Sequence, residues 1–131
     1  MIKMVVEVWK KDGMSDEAFA RRWLVEHGAL VKKHARAMGF LRYIQSHKLP
    51  SPAIDAFGEG RGWKRPPDGL TEVWWESEET MNAAMSSAEG QAASAELAVD
   101  EQEFTEASKL SAFLATEEVI FDFTVAATAT A

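Results

Sequence analysis

The sequence contains no cysteine, and this absence excludes disulfide bonds, thiolate metal sites and a cysteine nucleophile. No apolar run reaches the length of about 18 residues that a membrane-spanning helix requires. Basic residues form no stripe, and the net charge of −7 would repel a polyanion such as nucleic acid. Because residue 1 leads into a strand pattern rather than a signal peptide, we expect a cytoplasmic protein without nucleic-acid or membrane partners.

The composition is that of a small folded protein with a heavy load of large apolar side chains. Of its 131 residues 47% are hydrophobic and 27% charged, which is typical of a globular chain. This length supports one hydrophobic core, so we predict a single domain over residues 1–124 and a low-complexity tail over 125–131. Five Trp, seven Phe and six Met suggest more apolar surface than one subunit can bury.

The stretch from residue 13 to 47 organises the chain. Ser15 is a suitable N-cap, and a helix over residues 16–38 is predicted to follow it. Phe19, Trp23 and His27 are spaced four residues apart, and Leu30 and His34 extend the same face. His27 is therefore a polar residue in the middle of an apolar stripe.

Alternating and apolar patterns predict four strands, over residues 1–10, 40–48, 70–76 and 111–123. A second helical region starts after Ser77, with a break expected near Gly90. The order βαββαβ predicts an α+β, ferredoxin-like fold with a four-stranded antiparallel sheet.

The strand patterns assign residues to the two faces of this sheet. The wholly apolar class contains Ile2, Met4, Val6, Val8, Ile44, Val73 and Trp75. Because two helices cover only one face of a sheet, we expect this apolar face to be covered by a second copy in a homodimer. On this interpretation a charge at Val6 would break the dimer.

The mixed class would then face the helix and His27. It contains Val5, Glu7, Trp9, Leu41, Tyr43, Gln45, His47, Glu72 and Trp74. Aromatic walls with a few convergent polar groups are typical of a ligand pocket. Imidazole and phenol groups also suit proton transfer near neutral pH.

Residues 49–69 hold all four prolines and are predicted to be a long loop bordering the pocket. Trp63 lies there among basic residues. It is either the aromatic residue of a lid or a side chain that holds the loop on the surface.

The order and spacing of several segments resemble the EthD-like family of dimeric α+β barrel proteins. The segments are IKMVVEVWKKDGMS at 2–15, the F-x-x-x-W-x-x-x-H pattern at 19–27, GFLRYIQSH at 39–47, DGLTEVWW at 68–75, SSAEGQ at 86–91 and FLATEEVIF at 113–121. The resemblance implies a pocket between sheet and helices in each subunit. It also implies that His27, Tyr43 and His47 lie where related enzymes have polar pocket groups.

The candidate residues and the family resemblance leave two kinds of function open. The first is a cofactor-independent enzyme that uses general acid–base chemistry, as a dehydratase, decarboxylase or isomerase, on a small aromatic, lactone or polyketide-like molecule; a cofactor-free monooxygenase is its variant. The second is an accessory protein that binds a hydrophobic small molecule. The predicted catalytic residues are His27, Tyr43 and His47, and the predicted substrate-binding residues are Trp9, Trp23, Gln45, Glu72, Trp74 and Trp63. No metal or other cofactor is predicted. A core histidine bonded to a carbonyl or to Glu72 is the alternative interpretation of His27.

Overall fold

A computed structural model describes residues 1–125. The strands are β1 (Ile2–Val8), β2 (Arg42–His47), β3 (Gly69–Trp75) and β4 (Ser111–Ala115). The helices are α1 (Asp16–Arg21), α2 (Gly28–His34), α3 (Pro52–Gly60), α4 (Glu78–Ser86) and α5 (Ala88–Glu101). A π-helical segment (Arg22–His27) joins α1 to α2, and a short 3₁₀ turn (Ala107–Lys109) precedes β4. Except for residue 125, the predicted tail lies outside the described residues.

The four strands form one antiparallel sheet in the order β2-β3-β1-β4. This is the arrangement of a ferredoxin-like βαββαβ fold, so the predicted fold class is confirmed. The chain between β1 and β2 and the chain between β3 and β4 supply the helices that cover one face of the sheet.

The first helix begins as predicted but has an irregular middle. Ser15 caps it, because the Ser15 Oγ accepts a hydrogen bond from the Ala18 N–H at 3.1 Å. The backbone N–H of Gly28 bonds to the carbonyl of Trp23, five residues back, which is the π-helical pattern. The helix ends at His34, four residues before the predicted end.

The predicted assignment of the sheet faces is wrong for β1 and β3, whereas Tyr43 of β2 faces the helices as predicted. Register pairs Met4 with Val73 and Val73 with Tyr43, so these three side chains share one face. That face lies beneath the helices, because Met4, Val73 and Tyr43 line a cavity together with residues of α2 and α5. The apolar class of β1 thus faces this chain's own helices, because Met4, Val6 and Val8 line the cavity, and it is not the dimer interface.

The opposite face, called here the outer face, carries Lys3, Val5, Glu7, Ile44, Leu70, Glu72, Trp74 and Phe113. The physical reason is that helices need an apolar sheet face to bury, whereas charged side chains can pair in solvent. Lys3 Nζ lies 2.5 Å from Glu72 Oε2 across the strands of the outer face. Ile44, which was grouped with the β1 apolar residues, lies on the outer face.

The predicted loop over residues 49–69 contains a helix, α3. Ser51 caps it by accepting a hydrogen bond from the Ile54 N–H at 3.2 Å, and Pro52 occupies the first turn. The serine cap and the proline in the first turn are both signals for the start of a helix. The proline and glycine content of the segment had led to the prediction of a loop instead.

Two further boundaries differ from the prediction. Strand β4 ends at Ala115 instead of reaching residue 123. Within residues 1–125 it pairs with β1 alone, and β1 begins at Ile2, one residue before the final pair of Lys3 with Ala115. The break between the last two helices lies at Ser87, which has an extended backbone, and not at Gly90. Gly90 packs so closely on α4 that an added Cβ would overlap the carbonyl oxygen of Ala84.

Two clusters of buried apolar residues form the core between helices and sheet. The first contains Val8, Phe19, Trp23 and Phe104. The second contains Val31, Met38, Ala93 and Leu97. The cavity described next lies between them, because its lining includes members of both.

Candidate functional site

A cavity of about 220 Å³ lies between the inner face of the sheet and the helices. Its walls are mostly apolar, and five polar residues reach it. The apolar residues are Met4, Val6, Val8, Trp23, Val31, Phe40, Val73, Leu97, Phe104, Leu110 and Ala112, and the polar ones are His27, Tyr43, Thr71, Glu101 and Thr105. Apolar walls with a few polar groups are the usual composition of a small-molecule site.

The π-helical segment brings His27 and Trp23 to this cavity. Both are nearly inaccessible, with exposures of 4% for His27 and 1% for Trp23. The widened helix leaves the Trp23 carbonyl accessible to β2, where the Gln45 Nε2 donates a hydrogen bond to it at 2.9 Å. Single π-helical turns occur frequently at functional sites.

His27 pairs with a carboxylate on α5. Its Nδ1 lies 2.7 Å from Asp100 Oδ2, so the Nδ1–H donates to that oxygen and Nε2 keeps its lone pair. Arg22 Nη2 lies 2.5 Å from the other oxygen, Asp100 Oδ1. Burial lowers the pKa of His27 below 6.5, and the hydrogen bond and charge of Asp100 only partly oppose this. The imidazole is therefore neutral near pH 7, with Nε2 available as a base.

Asp100 is held as a carboxylate. Burial would raise its pKa, but hydrogen bonds from His27 and Arg22 outweigh burial and lower it. An ionised Asp100 orients the ring of His27 and selects one tautomer, as carboxylates commonly do for functional histidines.

Glu101 faces the other ring nitrogen of His27. Its Oε2 lies 3.6 Å from His27 Nε2, which is beyond hydrogen-bond distance. Burial, and then the negative charge of Asp100, raise the pKa of Glu101 to about 7. Glu101 lines the cavity, so near neutral pH it presents a carboxyl group that can carry a proton.

Tyr43, Gln45 and His47, at alternate positions of β2, form a chain of hydrogen bonds. The Gln45 Nε2 donates to the Tyr43 hydroxyl at 3.0 Å, and His47 Nε2 lies 2.8 Å from the Gln45 Oε1 that accepts from it. Burial raises the pKa of Tyr43 above 10, so its hydroxyl is neutral and able to donate.

His27, Tyr43 and Trp23 line the same cavity, but His47 and Gln45 do not. His47 stacks on Trp23 with ring centroids 4.3 Å apart, and burial lowers its pKa. The predicted group of three polar residues is thus divided: two line the cavity, and His47 supports the aromatic wall beside it.

Of the six predicted substrate-binding residues only Trp23 lines the cavity; besides Gln45, the four others, Glu72, Trp74, Trp9 and Trp63, do not. Glu72 and Trp74 are on the outer face, where Glu72 pairs with Lys3 and the Trp74 Nε1 donates to Glu117 at 2.8 Å. The expectation that these two face His27 is wrong, because it rested on the reversed sheet faces. Trp9 packs between other side chains, and the Nε1 has no partner among the described residues.

Trp63 is 59% exposed and does not line the cavity. Its ring packs edge-on against Phe57 of α3 at 5.5 Å, and Arg61 lies over the same two rings. The contacts of Trp63 are therefore with its own segment of the chain.

Asp100 and Glu101 were missed by reasoning from the sequence. They lie more than 70 residues after His27 and look like solvated charges at the end of a helix. One signal could have identified Glu101: it continues the four-residue spacing of the buried residues Ala93 and Leu97. An acidic residue in register with an apolar stripe indicates a carboxyl group at the edge of the core, and the Glu101 side chain is 43% exposed.

The described part of the chain contains neither a metal-ligand cluster nor a membrane-spanning helix. Within residues 1–125 no group of three or more His, Asp or Glu side chains is arranged to hold a metal ion. In the same range, none of the helices has the length and apolar character needed to cross a bilayer.

The EthD domain family matches residues 11–108, which is most of the chain. The chain belongs to the EthD family. No curated protein sequence matches the chain significantly.

Solved structures extend this EthD assignment to the fold. An ethyl tert-butyl ether degradation (EthD) family protein from Bacillus halodurans is 18% identical, with a TM-score of 0.60 over 90% of this chain and 99% of that one. A dimeric ferredoxin-like protein of unknown function from Thermobifida fusca is 12% identical, with a TM-score of 0.54 over 88% and 90%. SnoaB, a cofactor-independent oxygenase from Streptomyces nogalater, is 12% identical, with a TM-score of 0.50 over 90% and 93%. At these identities the likeness is one of fold.

Proposed function

We propose that this EthD protein is a cofactor-independent enzyme that acts by general acid–base chemistry on a small aromatic, lactone or polyketide-like molecule. The observation that carries the proposal is the Asp100–His27 pair: Nδ1 is bound to Asp100 at 2.7 Å while the ring lines an apolar cavity. A buried imidazole whose other nitrogen is occupied can act as a base at a single atom, Nε2.

The remaining polar groups fit such a reaction. In the proposal His27 removes a proton from an acidic C–H or hydroxyl group of the substrate. The Tyr43 hydroxyl, which lines the same cavity, donates to the oxygen that gains charge. Glu101 carries a proton near neutral pH and can return it to the product. Each step needs only side chains of this chain.

The surroundings of the histidines favour an enzyme over an accessory binding protein. His27 and Tyr43 line one cavity, and His27 is bonded to a carboxylate rather than to the backbone. One hydrogen bond would satisfy a histidine that only packs in the core, but a second acid, Glu101, lies 3.6 Å from the other ring nitrogen of His27.

Deuterium exchange in heavy water tests the proposal without knowledge of the natural substrate. β-Tetralone offers an acidic C–H, and naphthoresorcinol offers acidic hydroxyls whose ionisation exchanges ring hydrogens. We expect the protein to accelerate exchange of at least one probe, measured by proton NMR. His27→Ala should lower the accelerated rate by about 10²–10⁴-fold, and Tyr43→Phe should lower it with little change in melting temperature.

The matched control is His34→Gln. His34 is also a helix histidine paired with an acid, Glu96 at 2.8 Å, but it does not line the cavity. Exchange should be unchanged in this variant. Binding of both probes without any acceleration would favour the accessory role, and full exchange in His27→Ala would remove His27 from the mechanism.

Cofactor-free oxygenation is the second candidate. The observation that favours it is the same buried base beside an apolar cavity, since an anion formed there is shielded from water and exposed to dissolved oxygen. Oxygen uptake in the presence of naphthoresorcinol, measured with an electrode and lost in His27→Ala, would distinguish oxygenation from proton transfer alone.

A homodimer joined through the outer face is the proposed assembly. Ile44, Glu72, Val5 and Phe113 lie side by side across the four strands of this face, and three of them are apolar. Phe113 is 59% exposed in the single chain. The dimeric ferredoxin-like protein from Thermobifida fusca, which shares the fold, is consistent with this proposal.

A further inference from the structure

We propose that the cavity takes a neutral compound of one or two rings whose hydroxyl group, phenolic or enolic, lies between His27 Nε2 and Glu101 Oε2, and that it rejects carboxylates of the same size. This inference rests on the proposed function, because it specifies the substrate of the same site. It chooses the hydroxyl, rather than a C–H group, as the group that faces the base.

The distance between the two side chains defines a position for one ligand atom. His27 Nε2 and Glu101 Oε2 are 3.6 Å apart, too far to bond each other. One oxygen atom can therefore lie at an ordinary hydrogen-bond distance of about 2.8 Å from both atoms at the same time. Both residues line the cavity, so the position is accessible to a bound molecule.

The two side chains also define what that oxygen must do. Because Nδ1–H is donated to Asp100, Nε2 can only accept a hydrogen bond. A protonated Glu101 carboxyl can donate one. A hydroxyl group donates to His27 and accepts from Glu101, so it satisfies both. A ketone or ether oxygen satisfies only Glu101, and a carboxylate offers no proton to His27.

The charges around the site disfavour an anion. Within the described part of the chain, no Lys or Arg side chain lines the cavity. The guanidinium of Arg22, the partner of Asp100, is also bonded to Glu26 at 2.9 Å. Asp100 is ionised, and Glu101 closes the C-terminal end of α5, where the helix dipole is negative. A buried ligand carboxylate would therefore have no cation to pair with.

The cavity also limits the size of the ligand. An apolar cavity of about 150 Å³ holds benzene, and drug-sized ligands occupy pockets of about 300–1,000 Å³. The volume of about 220 Å³ lies between these values and suits one ring or two fused rings. Trp23, Phe40 and Phe104 provide aromatic walls for such rings.

Isothermal titration calorimetry with three matched compounds tests the inference. β-Naphthol, β-methoxynaphthalene and β-naphthoate share one ring system and differ in the oxygen group. At about pH 6.5, above the lowered pKa of His27 and below the pKa of Glu101 of about 7, we expect β-naphthol to bind at least about five-fold more tightly than the ether and about ten-fold more tightly than the carboxylate.

Variants separate the roles of the two side chains. His27→Phe should remove the preference for β-naphthol over the ether, because only His27 Nε2 needs a donor. Glu101→Leu should weaken the binding of both compounds and keep the preference, whereas Glu101→Gln, whose amide still donates, should bind both as the wild type does. His34→Gln, on the same helix but away from the cavity, should bind all three compounds as the wild type does. Melting temperatures identify any variant that fails to fold, and the comparison of the three compounds on wild-type protein stands without the variants.

The outcomes separate this inference from the proposed function. Tight binding of β-naphthoate, or an equal preference in His27→Phe, would overturn the inference even if deuterium exchange depends on His27. Selective binding of β-naphthol without exchange of either probe would support the inference and overturn the proposed enzyme.

Discussion

His27 is subject to two opposed influences. Burial removes its proton, whereas the hydrogen bond and charge of Asp100 favour keeping it, and burial prevails. The result is a neutral ring whose tautomer is fixed by the carboxylate. Glu101 shows the converse, because burial and the same Asp100 charge both favour its protonated form. A neutral base and a neutral acid therefore stand side by side near pH 7.

Asp100→Asn should lower the pKa values of both neighbours. The amide cannot replace the charge that raises the pKa of His27, and it removes one of the two causes that raise the pKa of Glu101. NMR titration of the imidazole and of the labelled glutamate carboxyl measures both. As a control, Glu96→Gln, which alters the partner of His34, should leave these two titrations unchanged. Unchanged pKa values in Asp100→Asn would mean that the pair acts only as a packing contact.

Activity should depend on pH with a maximum just below neutrality. His27 must be unprotonated, and its pKa lies below 6.5, so the acid side of the profile falls at lower pH. Glu101 must be protonated, so the rate should decline as pH rises through about 7. Glu101→Gln cannot ionise and should abolish the decline on the alkaline side. Persistence of that decline in the variant would assign it to another group.

At the scale of elements, the close packing of the π-helical segment on β3 depends on one glycine of that strand. A Cβ on Gly69 would lie 2.6 Å from the Trp23 ring and 2.6 Å from the Ser46 carbonyl oxygen. Only a residue without a side chain lets Trp23 occupy the wall of the cavity. This contact couples the position of the helix to the register of the sheet.

Gly69→Ala should destabilise the fold by about 1–3 kcal/mol, as overpacking of a core commonly does. Urea denaturation followed by tryptophan fluorescence measures the change. Gly60→Ala is the matched control, because a Cβ at Gly60 meets no atom within 4 Å. Equal stability of the two variants would show that the Trp23 ring can shift to accommodate the added Cβ without a loss of stability.

At the scale of the whole molecule, apolar surface remains exposed at one end of the chain and on the outer face. After β4, Val119, Ile120 and Phe121 are at least 70% exposed. On the outer face Phe113 lies beside Val5, which pairs with Glu72. A single chain leaves these groups in water, and a second copy over the outer face would cover part of them.

Phe113→Asp should therefore dissociate the proposed homodimer while the chain stays folded, since Phe113 is 59% exposed within one chain. Analytical ultracentrifugation at micromolar concentration measures the mass, and circular dichroism reports the fold. Leu24→Asp, at a side chain 60% exposed on the helical side, is the matched control and should remain dimeric. A folded wild-type monomer would refute the dimer. A charge at Val6 no longer tests association, because Val6 lines the cavity.

The sequence by itself determined the elements whose signals are local. Ser15 and Ser77 act as N-caps, the spacing of Phe19, Trp23 and His27 defines a buried helix face, and alternation located three of the four strands within two residues at each end. These features depend on neighbours three or four residues apart or on a two-residue period, so they can be derived from a short stretch of chain. The order of the elements then led to the fold and to the EthD family.

The tertiary structure alone decided which sheet face meets the helices and which acids meet His27. Alternation separates the two faces of one strand, but it does not tell which face is covered or how the faces of different strands match. The apolar class of β1, with Met4, and the polar class of β2, with Tyr43, share one face. Asp100 and Glu101 come to His27 from 73 and 74 residues away, where α5 ends against the π-helical segment. Such a meeting depends on how helices pack across the sheet, which no local pattern encodes. The sequence therefore indicated the base, His27, but not the two acids beside it, Asp100 and Glu101.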